Sequence, residues 1–128
     1  VMLRLYHLSQ EQSFLDISIK IMEFQAQTAA ENPFGFGYLL NTLSLYLQKP
    51  VEITIINSEN SELCESLFTN YLPNSLMITI QNSEQLSSLS EYPFFAGKSF
   101  EEKTSVFICK NFSCSLPLRT LDEVNSKL

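Results

Sequence analysis

Two hydrophobic rhythms divide the chain. Up to residue 48, apolar positions recur at three- and four-residue steps. From residue 51 they come in short, β-branched runs. In EQSFLDISIKIMEFQAQTAAENP (11–33), Phe14, Ile17, Ile21, Phe24 and Thr28 form one stripe, which Leu15, Ile19, Met22 and Ala26 widen. So broad an arc predicts a helix buried on more than one side. Asn32-Pro33 ends it, because the residue before a proline avoids helical angles. FGFGYLLNTLSLYLQKP then restarts the period, with Leu39, Leu40, Leu43, Tyr46 and Leu47 on one face, and Pro50 closes it. Ahead of both, VMLRLYHLS is already apolar and helix-like without a capping residue before it. It reads as a chain entered in mid-helix, and the expectation is a fragment. A partial helix, a turn at Ser9-Gln10, a long helix, a turn and a third helix predict stacked antiparallel hairpins.

The second rhythm predicts strands. VEITIIN (51–57) is short, β-branched and bounded by Pro50 and Asn57-Ser58; SLMITI (75–80) and TSVFICK (104–110) are its counterparts. Between the first two lies a helix with Leu63, Cys64, Leu67, Phe68 and Tyr71 on one face, started by Ser58 or Ser61 with Glu62 or Glu65 reaching back. Residues 81–103 are polar and irregular, with Pro93, Gly97 and one short helix near 83–90. TLDEVNSKL closes the chain as a helix, with Thr120 at the cap and Glu123 three residues on. Strand–helix–strand with a short connection implies a parallel pair with a right-handed crossover. The expected fold is therefore α/β: an α-hairpin segment over 1–49, then a small three-stranded, mainly parallel sheet with flanking helices over 50–128.

Composition narrows the function class. The 128 residues carry 14 acidic and 8 basic side chains, a net charge of −6, and the basic ones are scattered singly. Nucleic-acid affinity comes largely from clustered Lys and Arg, so no nucleic-acid partner is expected. No apolar run reaches the ~18 residues that a membrane helix needs, so no membrane partner is expected either. Residues Val1 to Leu8 hold one Arg, one His and no small-residue cleavage site, unlike a signal peptide. Three cysteines is an odd number, which argues against a secreted disulfide scaffold and fits a reducing, cytoplasmic setting.

Candidate chemistry centres on VFICKNFSC (106–114). Cys109 and Cys114 form a C-x4-C pair that admits three readings: a thiol–disulfide pair, half a metal site, or packing. Fully extended, five residues span ~17 Å, against the ~5.5 Å between disulfide α-carbons, so bridging requires a turn at Lys110-Asn111. Lys110 could lower a neighbouring thiol pKa. The spacing is not the C-x-x-C of oxidoreductases, and zinc would need two further ligands. Packing is the plainer reading, with Cys109 in a strand core and Cys114 under a turn. On a parallel sheet, Cys109 would share its carboxyl end with Asn57, so a crevice of Asn57, Ser58, Cys109 and Asn111 is a possible small site. It contains no general base. Cys64 falls on an apolar helix face and reads as core. His7, the single histidine, reads as a surface or interdomain residue. Glu11, Asp16, Glu23 and Glu31 read as a solvated face. GFG (35–37) is no phosphate loop, since no strand precedes it. NFS (111–113) matches a glycosylation sequon, which carries no meaning in a reducing compartment. No catalytic set, cofactor or metal is implied.

Three segments, ENPFGFGYLLNTLSLYLQKPVEITIIN, LPNSLMITI and GKSFEEKTSVFICKNFSCSLPLRTLDEV, together resemble the C-terminal end of the spermatogenesis-associated thioredoxin-domain family (YyaL-like proteins). That family ends in a tract that Cys109, Asn111, Phe112, Cys114 and Pro117 fit. The resemblance spans essentially the whole chain. It implies a longer protein with a thioredoxin-like domain followed by an α/α toroid similar to six-hairpin glycosidases. Residues 1–49 would be the last helices of the toroid, and 50–128 a terminal module packed on them.

The expected function is a non-catalytic structural module whose partners are the thioredoxin-like and toroid domains of its own chain. As an isolated fragment it is expected to self-associate. Two alternatives stand beside this: Cys109 and Cys114 serving the thioredoxin-like domain as a thiol–disulfide pair, or a module shaping the rim of a sugar-processing toroid.

Overall fold

A computed structural model of the chain describes residues 1–56, 62–111 and 113–128. It is mixed α/β and divides into two compact units, Val1–Gln48 with Tyr92–Phe94, and Lys49–Glu91 with Phe95–Leu128. Among the described residues, no helix is long and apolar enough to cross a membrane.

The first unit is helical: α1 (Met2–Ser9), α2 (Gln12–Glu31), a 3-10 turn at Pro33–Phe36, and α3 (Gly37–Gln48). The turn at Ser9-Gln10 is a left-handed cap. Gln10 has φ 58°, and its N–H donates to the Tyr6 carbonyl at 2.7 Å. α2 stops at Glu31, with Asn32 extended at φ −137° ahead of Pro33. Both stops follow from local sterics, which is why they were legible. The expected burial of α2 on more than one side is not found. Ser18, Met22 and Ala29 are buried, whereas Ile17, Ile21 and Phe24 of the predicted stripe are exposed. Its neighbours within the unit, α1 and α3, leave the rest of the arc open.

The second unit is built on a four-stranded sheet in the order β2-β1-β3-β4, formed by β1 (Val51–Ile56), β2 (Ser75–Ile80), β3 (Ser105–Lys110) and β4 (Ser113–Cys114). α4 (Glu62–Thr69) links β1 to β2, and the two strands pair in parallel, as strand–helix–strand requires. The cap expected at Ser58 or Ser61 lies outside the described residues. The sheet departs from a three-stranded, mainly parallel arrangement in two ways. β3 pairs with β1 antiparallel, Ile53 opposite Ile108 and Ile56 opposite Ser105, and a fourth strand follows it. The crossover rule binds only strands joined by a crossover to the same sheet edge. The long connection from β2, carrying α5 (Ser83–Ser88) and a 3-10 turn at Pro93–Phe95, delivers β3 to the far side of β1 in the opposite sense.

Alternation along the strands sorts the core. Ile53, Ile55, Val106 and Ile108 pack with Leu63, Cys64 and Leu67 of α4, with Leu118, and with Val124 of α6 (Leu121–Asn125). The intervening residues Thr54, Ile56, Phe107 and Cys109 point to the other face and are buried too. α6 begins as its sequence demands. The Thr120 hydroxyl accepts from the Glu123 N–H at 3.3 Å while Glu123 accepts from the Thr120 N–H at 3.1 Å, a reciprocal capping box.

Candidate functional site

The site grows out of the β3–β4 hairpin. Lys110 pairs with Ser113, and Asn111 turns the chain out of β3. Asn111 has φ 51°, a left-handed conformation that asparagine tolerates better than other side chains. The Ser115 N–H donates to the Ile108 carbonyl at 2.9 Å. Cys109 and Cys114 therefore occupy the adjoining non-hydrogen-bonded position, where opposed residues approach most closely. Their Cα atoms are 3.9 Å apart, and the sulfurs form a disulfide at 2.10 Å. The packing reading of the two cysteines is thus replaced by a cross-strand bridge. The turn that bridging requires after Lys110 is present, with Asn111 in the left-handed conformation.

The two sulfurs differ in access. Cys109 is 1 % exposed in the middle of the sheet, whereas Cys114 lies on the exposed edge strand. Lys98 is brought to the exposed one from 16 residues away, its Nζ 4.0 Å from Cys114 Sγ and 5.9 Å from the centroid of the Phe107 ring. A tight turn sets it there. The Lys98 N–H donates to the Phe95 carbonyl at 3.2 Å, and Gly97 between them adopts φ 73°. A glycine at that φ is what a type II turn needs at its third position. Phe95, 4 % exposed, anchors the turn. Burial pushes the Lys98 pKa down, and the Glu52 carboxylate pulls it back up. Glu52 stands directly opposite Cys109 on β1, on the same sheet face.

Other expected participants sit elsewhere. Lys110 does not serve the sulfurs: its Nζ donates to the carbonyls of Lys127 at 2.6 Å and Leu128 at 3.3 Å, tying down the chain after α6. The crevice of Asn57, Ser58, Cys109 and Asn111 presupposed a parallel β3. The carboxyl end of β1, Ile56, instead faces Ser105, while Cys109 and Asn111 lie at the end where β1 begins. Asn57 and Ser58 are outside the described residues. Cys64 lies outside the disulfide, buried in the sheet core, and desolvation followed by the nearby Glu65 raises its pKa. His7 packs edge-on against Tyr6 within α1, ring centroids 5.4 Å apart. Among the described residues, no group of His, Cys, Asp and Glu is placed to hold a metal ion.

Chemically, the arrangement presents one accessible disulfide sulfur, one shielded sulfur and a cation beside the accessible one. Sequence reasoning missed Lys98. The signal that could have found it is Phe-Ala-Gly-Lys (95–98), a buried anchor and a turn glycine that fix where the following lysine points. Comparison with family models, curated proteins and solved structures finds no match for this chain.

Proposed function

We propose that the second unit is a thiol–disulfide exchange module in which Cys109 and Cys114 open and close. The observation that carries this reading is the asymmetric bridge, one sulfur buried and the other on an exposed edge. A partner thiolate attacks Cys114 Sγ. The Cys109–Cys114 bond breaks as the mixed disulfide forms, and Cys109 leaves as a thiolate that takes up a proton. The partner's second thiol then attacks its own sulfur in the mixed disulfide, so the partner departs as a disulfide and Cys114 as a thiolate. Two electrons pass from the partner dithiol to the pair, and the reverse sequence passes them from reduced Cys109 and Cys114 to a partner disulfide. A dithiol of thioredoxin type is the partner class that the family resemblance implies.

The test is equilibration of the full chain in thiol redox buffers, with alkylation and peptide mapping to read the bridge. Exchange requires a midpoint in the range of dithiol couples, roughly −180 to −300 mV. A bridge that stays closed below about −300 mV would make it a structural staple instead.

A second reading, a non-catalytic structural module, is favoured by the helical unit. There Phe24, Phe34 and Tyr38 are exposed together with Ile17, Ile21 and Leu47, more apolar side chain than a free-standing helical hairpin normally shows to water. On this reading the helices belong against another apolar surface, such as further hairpins of a toroid.

A further inference from the structure

We propose that Lys98 is the positioning residue of the pair: its ammonium holds Cys114 as the thiolate when the bridge is open, making Cys114 the exchanging sulfur and Cys109 the one that closes the bridge. This rests on the exchange reading above and adds to it an order of events and a residue that sets the rate. Three observations carry it. Lys98 Nζ lies 4.0 Å from Cys114 Sγ, near enough for a cation to favour the charged form of a thiol. The lysine is held rather than draped, by the Phe95–Lys98 turn at its backbone and by the Phe107 ring beneath its ammonium. Phe107 is itself two residues before Cys109 on the same strand and face, so the ring that seats the lysine lies on the face that carries the bridge.

Charges around the sulfur agree with this assignment. Glu52 on β1 faces Cys109 and acts on Lys98, opposing the downward effect of burial on its pKa. Lys110 on β3 is engaged by the carbonyls after α6. On the connection leading to β3, Glu101 is paired with Arg119. The Lys98 cation is thus the charge aimed at Cys114. The Cys109 sulfur, buried in the sheet, gains nothing comparable, and burial disfavours its thiolate. In reduction, the ammonium stabilises Cys114 as the final leaving group; in oxidation, it supplies the attacking thiolate.

The experiment follows Cys114 alkylation against pH in the fully reduced chain by peptide mapping, with buried Cys64 as an internal control. Lys98→Met, similar in length but uncharged, is expected to move the Cys114 midpoint up by about one pH unit, slowing alkylation at neutral pH about tenfold. Lys98→Arg is expected to restore most of that rate, and the Cys64 profile is expected to stay put. A Lys98→Met profile superimposed on the parent overturns the proposal. Equal shifts in Lys98→Met and Lys98→Arg overturn it as well, since packing rather than charge would then be responsible. Should Lys98→Met fail to fold, the parent decides: added salt must raise its Cys114 midpoint by screening, and a flat response overturns the assignment. The redox midpoint is read separately. A bridge too stable to exchange removes the exchange reading while leaving the Lys98 profile standing, so the two failures are distinguishable.

Discussion

Thr54 is fully buried at the centre of β1, and its hydroxyl has no hydrogen-bond partner among the described residues. Its neighbours along the strand, Ile53 and Ile55, are equally buried, so β-branched shape and not hydrogen bonding suits the position. A buried hydroxyl left unpaired costs on the order of 1–3 kcal/mol. Thr54→Val keeps the shape and removes the unpaired oxygen, and is expected to raise unfolding stability by about 1 kcal/mol. Thr54→Ser keeps the oxygen and loses a methyl, and is expected to lower it by about 1 kcal/mol. Urea titrations of the three proteins check this; a less stable Thr54→Val would mean the hydroxyl is in fact partnered. At this scale the sequence was legible where a residue acts through its own backbone, as Asn32 before Pro33 does. Cys64 could also be placed, from the helical face that it shares with Leu63 and Leu67. Lys98 could not be read, because its significance is a distance to a sulfur that only the folded sheet creates.

Among elements, α6 shows how a short local signal becomes structure. Five residues are too few to hold a helix by propensity, so its start depends on the reciprocal Thr120–Glu123 bonds and its seat on buried Val124. Thr120→Ala is expected to cost about 1 kcal/mol. Glu123 makes the cap sensitive to acid. The Arg119 backbone N–H, donating to its carboxylate at 2.8 Å, lowers its pKa, and bonds from the Thr120 backbone and side chain add to this. A carboxylate whose pKa is lower folded than unfolded stabilises above its unfolded pKa. That contribution is lost as pH falls through the lower, folded value. Glu123→Gln should therefore be less stable than the parent at neutral pH, with the difference shrinking as pH falls below the carboxylate range. A difference independent of pH in parallel urea titrations would remove the ionised cap from the account. The same contrast of local and distant causes explains the sheet. β1, β2 and β3 are visible as β-branched runs, and the β1–β2 pairing follows from the helix between them. The direction of β3 depends on where a connection of polar residues returns the chain. β4, two residues long, offers no pattern to detect.

At the scale of the whole molecule, the unequal treatment of apolar surface is the feature with consequences in solution. In the sheet unit, alternate strand residues are buried on both faces, and Ile53, Ile55, Ile56 and Val106 lose essentially all contact with water. Each such side chain contributes roughly 1.5–3 kcal/mol. The helical unit leaves much of the same material outside. Between α2 and α3 runs an apolar cleft of ≈ 500 Å³ lined by Met22, Ala26, Ala29, Leu39, Leu43 and Tyr46 among others. Beside it on α2, Ile21 and Phe24 are 50 % and 83 % exposed. The hydrophobic effect scales with apolar area removed from water, so this unit has a standing driving force to bury that area in association. The chain is accordingly expected to sediment above its monomer mass of 14.6 kDa at high concentration and to bind a hydrophobic dye. Placing charge on the exposed α2 stripe, as Ile21→Lys with Phe24→Glu, should restore the monomer and abolish the dye signal. The charged variant should leave the redox midpoint of Cys109–Cys114 unmoved, since the bridge, Lys98 and Phe107 all belong to the sheet unit. A parent that sediments as a monomer without dye binding would mean that the exposed stripe is tolerated as it stands. The structural reading of the helices would then lose its support, while the exchange chemistry of the hairpin would be untouched.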